Sequence, residues 1–279
     1  MASFSSTSSK ISNKGSSLKD WPFPKTFGLK WRLRQLPFFM SGHALCKLYL
    51  RLQQVQTKNL NRLTKAILER PEGTPLVTVS NHSSCIDDPV IFAPLPMRCD
   101  LKMTTRKWTP AAKEICFTNK LFNAVLATGQ IIPIVRGDGV YQKALNFCID
   151  LLDDGHWVHL FPEGKVNISN TNMRLKWGVG RIIAEAKIAP IVLPIWHVGM
   201  EDLLPEKRPY MPRFFKRLTL FVGDPLDVSG LRSAHSENGV LLRKKVTDLM
   251  QEAMRDIKIQ AEEIHKEWKC NLPIRTRTL

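Results

Sequence analysis

The chain alternates short apolar runs with longer stretches in which apolar residues recur every three or four positions. Apolar, β-branched runs at residues 75–80, 130–135, 157–161, 190–196 and 218–222 each predict a strand. Helical spacing lies between them. Residues 138–153 place Val140, Ala144, Cys148 and Leu151 on one face, and Gly155 follows as a stop. Residues 178–187 predict a shorter helix. From about residue 239 to 268, Leu242, Val246, Leu249, Ala253, Ile257, Ala261, Ile264 and Trp268 step by three or four, so this last helix docks by one stripe. Strands alternating with helices predict an α/β domain: a central, mostly parallel sheet with helices on its faces. No internal repeat is visible.

The first third reads differently. No run of about 18 uncharged apolar residues exists, so no ordinary membrane-spanning helix is expected. The best candidate, residues 36–52, is interrupted by Pro37, His43, Lys47 and Arg51. Beyond Pro37, Leu45, Leu48, Leu52 and Val55 recur at helical spacing, opposed by Lys47, Arg51, Lys58, Arg62 and Lys65. That phase predicts an amphipathic helix with a basic face, suited either to the headgroup layer of an anionic bilayer or to packing on the core.

Charge sharpens this picture. The 279 residues carry 41 Lys and Arg against 25 Asp and Glu, a net charge of +16. Residues 1–70 hold 13 basic and two acidic side chains, hence +11 of that total. The asymmetry points to an anionic partner, either an acidic membrane or nucleic acid. Residues 1–20 are Ser-rich with no apolar core; they predict a disordered tail, though their acid-poor composition is similar to a mitochondrial presequence. Residues 21–70 then form a basic, amphipathic membrane-associating region and residues 71–279 the catalytic domain. Six cysteines occur, none in a C-x-x-C pair and none with a His at zinc spacing, so neither a structural disulfide nor a metal is expected.

Candidate chemistry gathers at strand ends. The first strand runs into Asn81-His82-Ser83-Ser84-Cys85-Ile86-Asp87-Asp88-Pro89. Asp88-Pro89 reads as a helix N-cap followed by Pro at the first helical position. His82 then sits in the loop and Asp87 at the turn into the helix. A carboxylate on one imidazole nitrogen leaves the other free to take a proton from a hydroxyl, the arrangement of general-base activation. A second strand ends in Arg136, whose guanidinium can grip a phosphate. A third runs into Phe161-Pro162-Glu163-Gly164, a tight turn that projects Glu163 toward a glycerol hydroxyl or uses it to hold itself. A fourth, Pro190 to His197, contains Pro194, which suggests an edge or an irregularity. His197 reads as a structural histidine. No Gly-x-Ser-x-Gly elbow is present, and Ser83 and Ser84 read as loop residues.

In this order the four blocks resemble the glycerolipid acyltransferase family: His-x4-Asp, Gly…Pro-x-x-Arg, Phe-Pro-Glu-Gly and a strand with Pro. Trp21-Pro-Phe-Pro24, Trp108-Thr-Pro-Ala-Ala112, Ile115-Cys-Phe-Thr118, Gly137 to Gln142, Phe161 to Asn167, Lys176-Trp-Gly178 and Trp196 to Met200 narrow the resemblance to one branch. That branch comprises mitochondrial phospholipid–lysophospholipid transacylases, and the likeness covers roughly residues 21–265. The resemblance implies His82 and Asp87 as the catalytic pair, with Arg136 and residues 161–164 on substrate. It implies acyl transfer between phospholipids such as phosphatidylcholine and cardiolipin, notably onto monolysocardiolipin, with neither coenzyme A nor any other cofactor. It also implies attachment to mitochondrial membranes facing the intermembrane space, without full crossing. The same site would serve an acyl-CoA-dependent lysophospholipid acyltransferase, because the motifs do not specify the donor. A nucleic-acid-binding protein would match the charge, but no recognisable module for it appears and it leaves the four blocks unexplained. A scaffold that keeps the fold without the activity does not account for an intact His82–Asp87 pair. Oligomeric state is not legible.

Overall fold

A computed structural model describes residues 21–24, 26–169, 171–206 and 210–271. The Ser-rich residues 1–20 lie outside the described residues. The elements, in chain order, are α1 (Leu29–Arg51), β1 (Gln54–Lys58), α2 (Leu60–Leu68), β2 (Leu76–Ser80), α3 (Asp87–Ile91), β3 (Lys107–Ala112), α4 (Lys113–Cys116), α5 (Lys120–Thr128) and β4 (Ile131–Ile134). They continue with α6 (Lys143–Asp153), β5 (Trp157–Leu160), α7 (Gly178–Glu185), β6 (Ile191–Val198), α8 (Met200–Leu203), β7 (Arg217–Val222), α9 (Ser229–Ala234) and α10 (Gly239–Asn271).

The seven strands form one sheet in the order β1-β7-β6-β2-β5-β3-β4. β2 to β6 all run parallel, while β7 is antiparallel to β6, and β1 follows β7 in parallel. The expected mostly parallel α/β sheet is therefore the fold. β2 is buried at every position, as a strand covered on both faces must be. On one face, α6, α7 and α10 bury Leu145, Cys148, Leu152, Ile182, Ile183, Val246 and Met250 against Val77, Val79 and Val158. On the other, α1, α2 and α3 contribute Leu50, Leu63, Ile67, Val90 and Ile91 against Leu76, Leu193 and Leu220. α7 and α10 cross closely at Gly180, where a Cβ would stand 2.2 Å from the Arg243 carbonyl oxygen.

Two strands lie where the hydrophobic pattern predicts none. β1, Gln-Val-Gln-Thr-Lys, breaks the helix expected to continue past Arg51. It is a polar edge strand that, among the described residues, pairs only with β7, and Asn59, at φ +58°, turns the chain out of it into α2. The basic series therefore does not form one helical face. Lys47 and Arg51 stay on α1, Lys58 ends β1, and Arg62 and Lys65 belong to α2. β3 contains Pro110 and two alanines, a composition poor in strand formers, and it pairs with β5 through only Lys107 and Trp108. Pro194 marks an irregularity, as expected, but β6 is an interior strand. Its antiparallel pairing with β7 stops at Ile195, beside the proline that has no N–H to give.

Candidate active site

Because β2 to β6 are parallel, their carboxyl ends share one edge of the sheet, where open α/β sheets collect ligand-binding loops. His82 follows β2 there, and Asp87 opens α3 five residues on. The Asp87 side chain is completely buried. Its Oδ2 accepts the N–H groups of Ser83 (2.6 Å) and Ser84 (3.0 Å) and lies 2.8 Å from His82 Nδ1. With a carboxylate oxygen opposite it, Nδ1 carries the ring proton and Nε2 keeps its lone pair. Among the described residues nothing bonds Nε2, and the His82 side chain is 21% exposed.

The rest of His82 is held from β5, the neighbour of β2. Its ring stacks on Phe161 with centroids 4.2 Å apart and planes inclined by 26°. Its backbone N–H donates to Glu163 Oε1 (3.3 Å), and its carbonyl accepts the Asn167 N–H at 2.6 Å. Glu163 is buried; burial pushes its carboxyl pKa up, and the bond from His82 N–H pulls it partly back. The turn closes on itself, Gly164 N–H donating to the Phe161 carbonyl at 3.1 Å and Lys176 N–H to the Pro162 carbonyl at 2.8 Å. Gly164 sits at φ +74°, and a Cβ there would meet the Lys176 side chain at 3.3 Å. Phe161, Pro162, Glu163 and Gly164 thus form a clamp on the His82 loop.

A second brace comes from β6. Asn81 Nδ2 donates to the His197 carbonyl (3.0 Å), His197 N–H returns a bond to Asn81 Oδ1 (2.9 Å), and His197 Nε2 lies 3.0 Å from the Asn81 carbonyl. His197 thus braces the His82 loop, and its Nε2 also stands 3.6 Å from Asp87 Oδ2. Asp88 does not cap the helix as expected. α3 begins at Asp87, two residues ahead of the expected Pro89, and the Asp88 carboxylate turns to Lys107 and to Thr109 Oγ1, the latter at 2.8 Å. Both serines commit their hydroxyl protons elsewhere, Ser83 to Glu201 (3.0 Å) and Ser84 to the Leu204 carbonyl (2.9 Å). Neither serine donates to His82, so the site offers a proton carrier and no activated serine.

Arg136 does not join this cluster. It follows β4, three strands from β2, so about 14 Å of sheet lies between them at ~4.8 Å per strand. Its half-exposed guanidinium faces Glu114 at 3.4 Å. The braces from Asn81 and Asn167 escape sequence reasoning. Asn81 adjoins His82 and Asn167 closes the 161–167 block, but Asn81 bonds His197, 116 residues away, and Asn167 bonds His82 from the far side of the intervening fold.

A His–Asp pair with Nε2 open, at the carboxyl edge of an α/β sheet, is an arrangement able to move a proton. A family model described as Acyltransferase matches residues 54–198. The chain is 48% identical over 219 residues to tafazzin of Drosophila melanogaster, covering 77% of this chain and 58% of the fly protein. It is 39% identical to an Arabidopsis thaliana N-acylphosphatidylethanolamine synthase (75% of each chain) and 34% identical to a Dictyostelium discoideum taffazin (77% and 75%). The fold is similar to the solved structure of the 1-acyl-sn-glycerophosphate acyltransferase PlsC from Thermotoga maritima, with a TM-score of 0.54 at 18% identity over 80% and 79% of the two chains. The chain belongs to the acyltransferase family and, within it, to the tafazzins.

Proposed function

We propose that the protein is a membrane-bound phospholipid–lysophospholipid transacylase with His82 as general base and Asp87 as the residue that orients it. The observation that carries this reading is the Asp87 carboxylate, which takes His82 Nδ1 and two backbone N–H groups on one oxygen and leaves Nε2 facing out. Nε2 takes the proton of an acceptor lysolipid hydroxyl as its oxygen attacks the ester carbonyl of a donor phospholipid. The bond to the donor glycerol oxygen breaks, and the imidazolium returns the proton to that oxygen. An ester forms, an ester is lost, and the imidazole is regenerated, so the reaction runs in both directions. No thioester donor enters. Arg136 exchanges Glu114 for a lipid phosphate, and the 161–164 turn presents the glycerol.

We further propose monolysocardiolipin as acceptor, cardiolipin and phosphatidylcholine as partners in the exchange, and mitochondrial membranes facing the intermembrane space as its location, on the strength of its membership of the tafazzins. No helix among the described residues is long and apolar enough to cross a membrane, and residues 21–70 supply interfacial attachment. The Arabidopsis relative favours a second acceptor class, the amine of phosphatidylethanolamine, for which Nε2 would serve equally as base. The test is to incubate purified protein with labelled phosphatidylcholine and monolysocardiolipin, with and without acyl-CoA, and separately with phosphatidylethanolamine. Label passing to monolysocardiolipin without acyl-CoA is the expected result. Strict dependence on acyl-CoA, or label appearing only on the amine, overturns it.

A further inference from the structure

A cleft opens beside the His82 loop, on the face of the sheet that α10 covers. Its floor is apolar: Trp196 near the end of β6, Leu175 from the connection between β5 and α7, and Met254 on α10. Arg255 and Lys258 line it from the same stretch of α10, and Glu163 is the one acidic side chain among the described residues that lines it. The space is small, about 370 Å³ including what is open to solvent, so it suits a polar headgroup and not an acyl chain.

The cleft is built in advance of any ligand. Gln251 Oε1 accepts the Leu175 N–H (2.9 Å) and Gln251 Nε2 donates to the Met173 carbonyl (3.3 Å), which ties the loop wall to α10. Lys258 Nζ donates to Asn172 Oδ1 (3.0 Å) and stands 5.6 Å from the centre of the Trp196 ring, with its side chain only 13% exposed. An ammonium fixed in this way loses little freedom when an anion arrives. Arg255, beside it, is exposed. Glu163 joins the cleft to the site already described, because its Oε1 accepts the His82 N–H at 3.3 Å. One side chain therefore separates the cleft from the His82 loop.

Direct transfer between two lipids makes a demand that Arg136 alone does not meet. Neither Ser83 nor Ser84 donates to His82, so neither is poised to carry the acyl chain between two separate binding events. Donor and acceptor are then held together, and their two phosphates repel unless each meets its own cation. Arg136 follows β4, three strands from β2, whereas Trp196 lies on β6, the neighbour of β2 on the other side. The two cationic groups thus flank the strand that ends at His82. We infer that the cleft is a second headgroup subsite, in which Arg255 and Lys258 take the phosphate of one lipid while Arg136 takes that of the other. This deepens the transacylase reading and rests on it for the presence of two lipids. A guanidinium and an ammonium supply charge-assisted bonds to the phosphodiester, and Trp196 and Met254 receive the glycerol carbons beside it.

Binding is tested by calorimetric titration of the full chain with a diether analogue of short-chain phosphatidylcholine, which has no ester to transfer, below its aggregation limit. Wild type should bind two molecules per chain, and the double variant Arg255→Gln with Lys258→Gln should bind one. Equal stoichiometry in the two proteins overturns the inference. Inorganic phosphate is titrated separately: binding that the double variant loses and that the analogue fails to displace marks a site for a free anion, and also overturns it. Kinetics give the second measurement, with short-chain donor and lysolipid acceptor varied in turn. The double variant should raise KM for one of the two by about tenfold or more, with kcat and the other KM within about twofold. Exchanging the affected lipid for its phosphate-free counterpart, diacylglycerol or monoacylglycerol, should erase the difference between the proteins. KM values that rise together, or a fall in kcat alone, assign the two cations to the fold or to the His82 loop and overturn the subsite. Arg255→Gln alone, at an exposed position, should keep the thermal midpoint of wild type and move the same KM in the same direction, which separates the effect from misfolding. Two bound molecules in wild type and one in the double variant, in a protein that transfers no acyl chain, would sink the transacylase reading and leave the subsite standing.

Discussion

At the residue scale, the proposed chemistry rests on which imidazole nitrogen is free, and the bond from His82 Nδ1 to Asp87 is what leaves Nε2 open. His82→Ala is expected to lower transfer by about 10²–10⁴-fold, the usual contribution of a general base, with the folded state intact because the ring is partly exposed. A folded His82→Ala protein with near wild-type transfer rules the base out. Asp87→Asn should also cost much of the activity, since an amide can present a donor to Nδ1 and favour the wrong tautomer. Glu163 gives a test with a pH signature. Its carboxyl is shifted up by burial, so the folded state holds a proton that the unfolded state releases. Stability therefore falls as pH rises from the unfolded value, near 4.5, through the raised folded one. Glu163→Gln keeps an acceptor for His82 N–H without the buried charge. Urea titrations should find it at least as stable as wild type at neutral pH, with the gap closing toward acid; a gap that widens toward acid contradicts the argument. The blocks 82–87 and 161–164 were legible as candidate chemistry, because strand-end His, Asp and Pro-Glu-Gly are local patterns. That Phe161 and Glu163 grip His82 was not, because the contact depends on β5 lying beside β2.

At the element scale, α1 separates two readings that its sequence left open. An amphipathic helix packed on the core would hide Leu45, Leu48 and Leu52. They are exposed, and Cys46, Tyr49 and Leu50 pack inward, with Tyr49 Oη donating to the Arg213 carbonyl (2.9 Å) and the Leu203 carbonyl also near it at 3.2 Å. Replacing the three leucines by serine should leave thermal stability unchanged. At about 1 kcal/mol for each half-inserted side chain, vesicle partitioning should fall on the order of 100-fold, as read by co-flotation. Charge reversal sorts the basic series. Lys47 and Arg51 lie on α1, whereas Lys58 and Arg62 stand at the opposite edge, Arg62 paired with Asp224 at 2.7 Å. Reversing Lys47 and Arg51 should weaken flotation with anionic vesicles, the more so at low salt, while reversing Lys58 and Arg62 should not. Equal effects of the two pairs would contradict this placement. Periodicity found the long helices and the strands of the buried sheet. It missed β1 and β3 because an edge strand of glutamines and a strand of Pro and Ala have little side-chain signal; their partners make them strands.

At the scale of the molecule, the sheet places polar machinery in a dry interior, and that has a measurable consequence in acid. His159, on β5, is wholly buried beneath the site, with its ring nitrogens 2.9 Å from Thr78 Oγ1 and 3.3 Å from Ser80 Oγ. Burial pushes its pKa down to about 3 from an ordinary 6.5, opposed in part by the nearby Asp88 carboxylate. The folded protein therefore keeps His159 neutral over a range in which the unfolded chain protonates it. For a base held below its normal pKa, stability is complete above pH 6.5 and drains away as pH falls toward 3, by up to ~1.4 kcal/mol per pH unit. Sequence gave no hint of this. His159 is one histidine in an apolar run, and only the sandwiching of β5 between β2 and β3 reveals it as fully enclosed. His159→Gln can bond the same two hydroxyls and does not titrate. In urea denaturation between about pH 6.5 and 4, wild type should lose stability steeply, and His159→Gln should follow a shallower slope. Parallel slopes in the two proteins would mean that His159 takes up its proton without unfolding, and that the interior beneath the active site admits water.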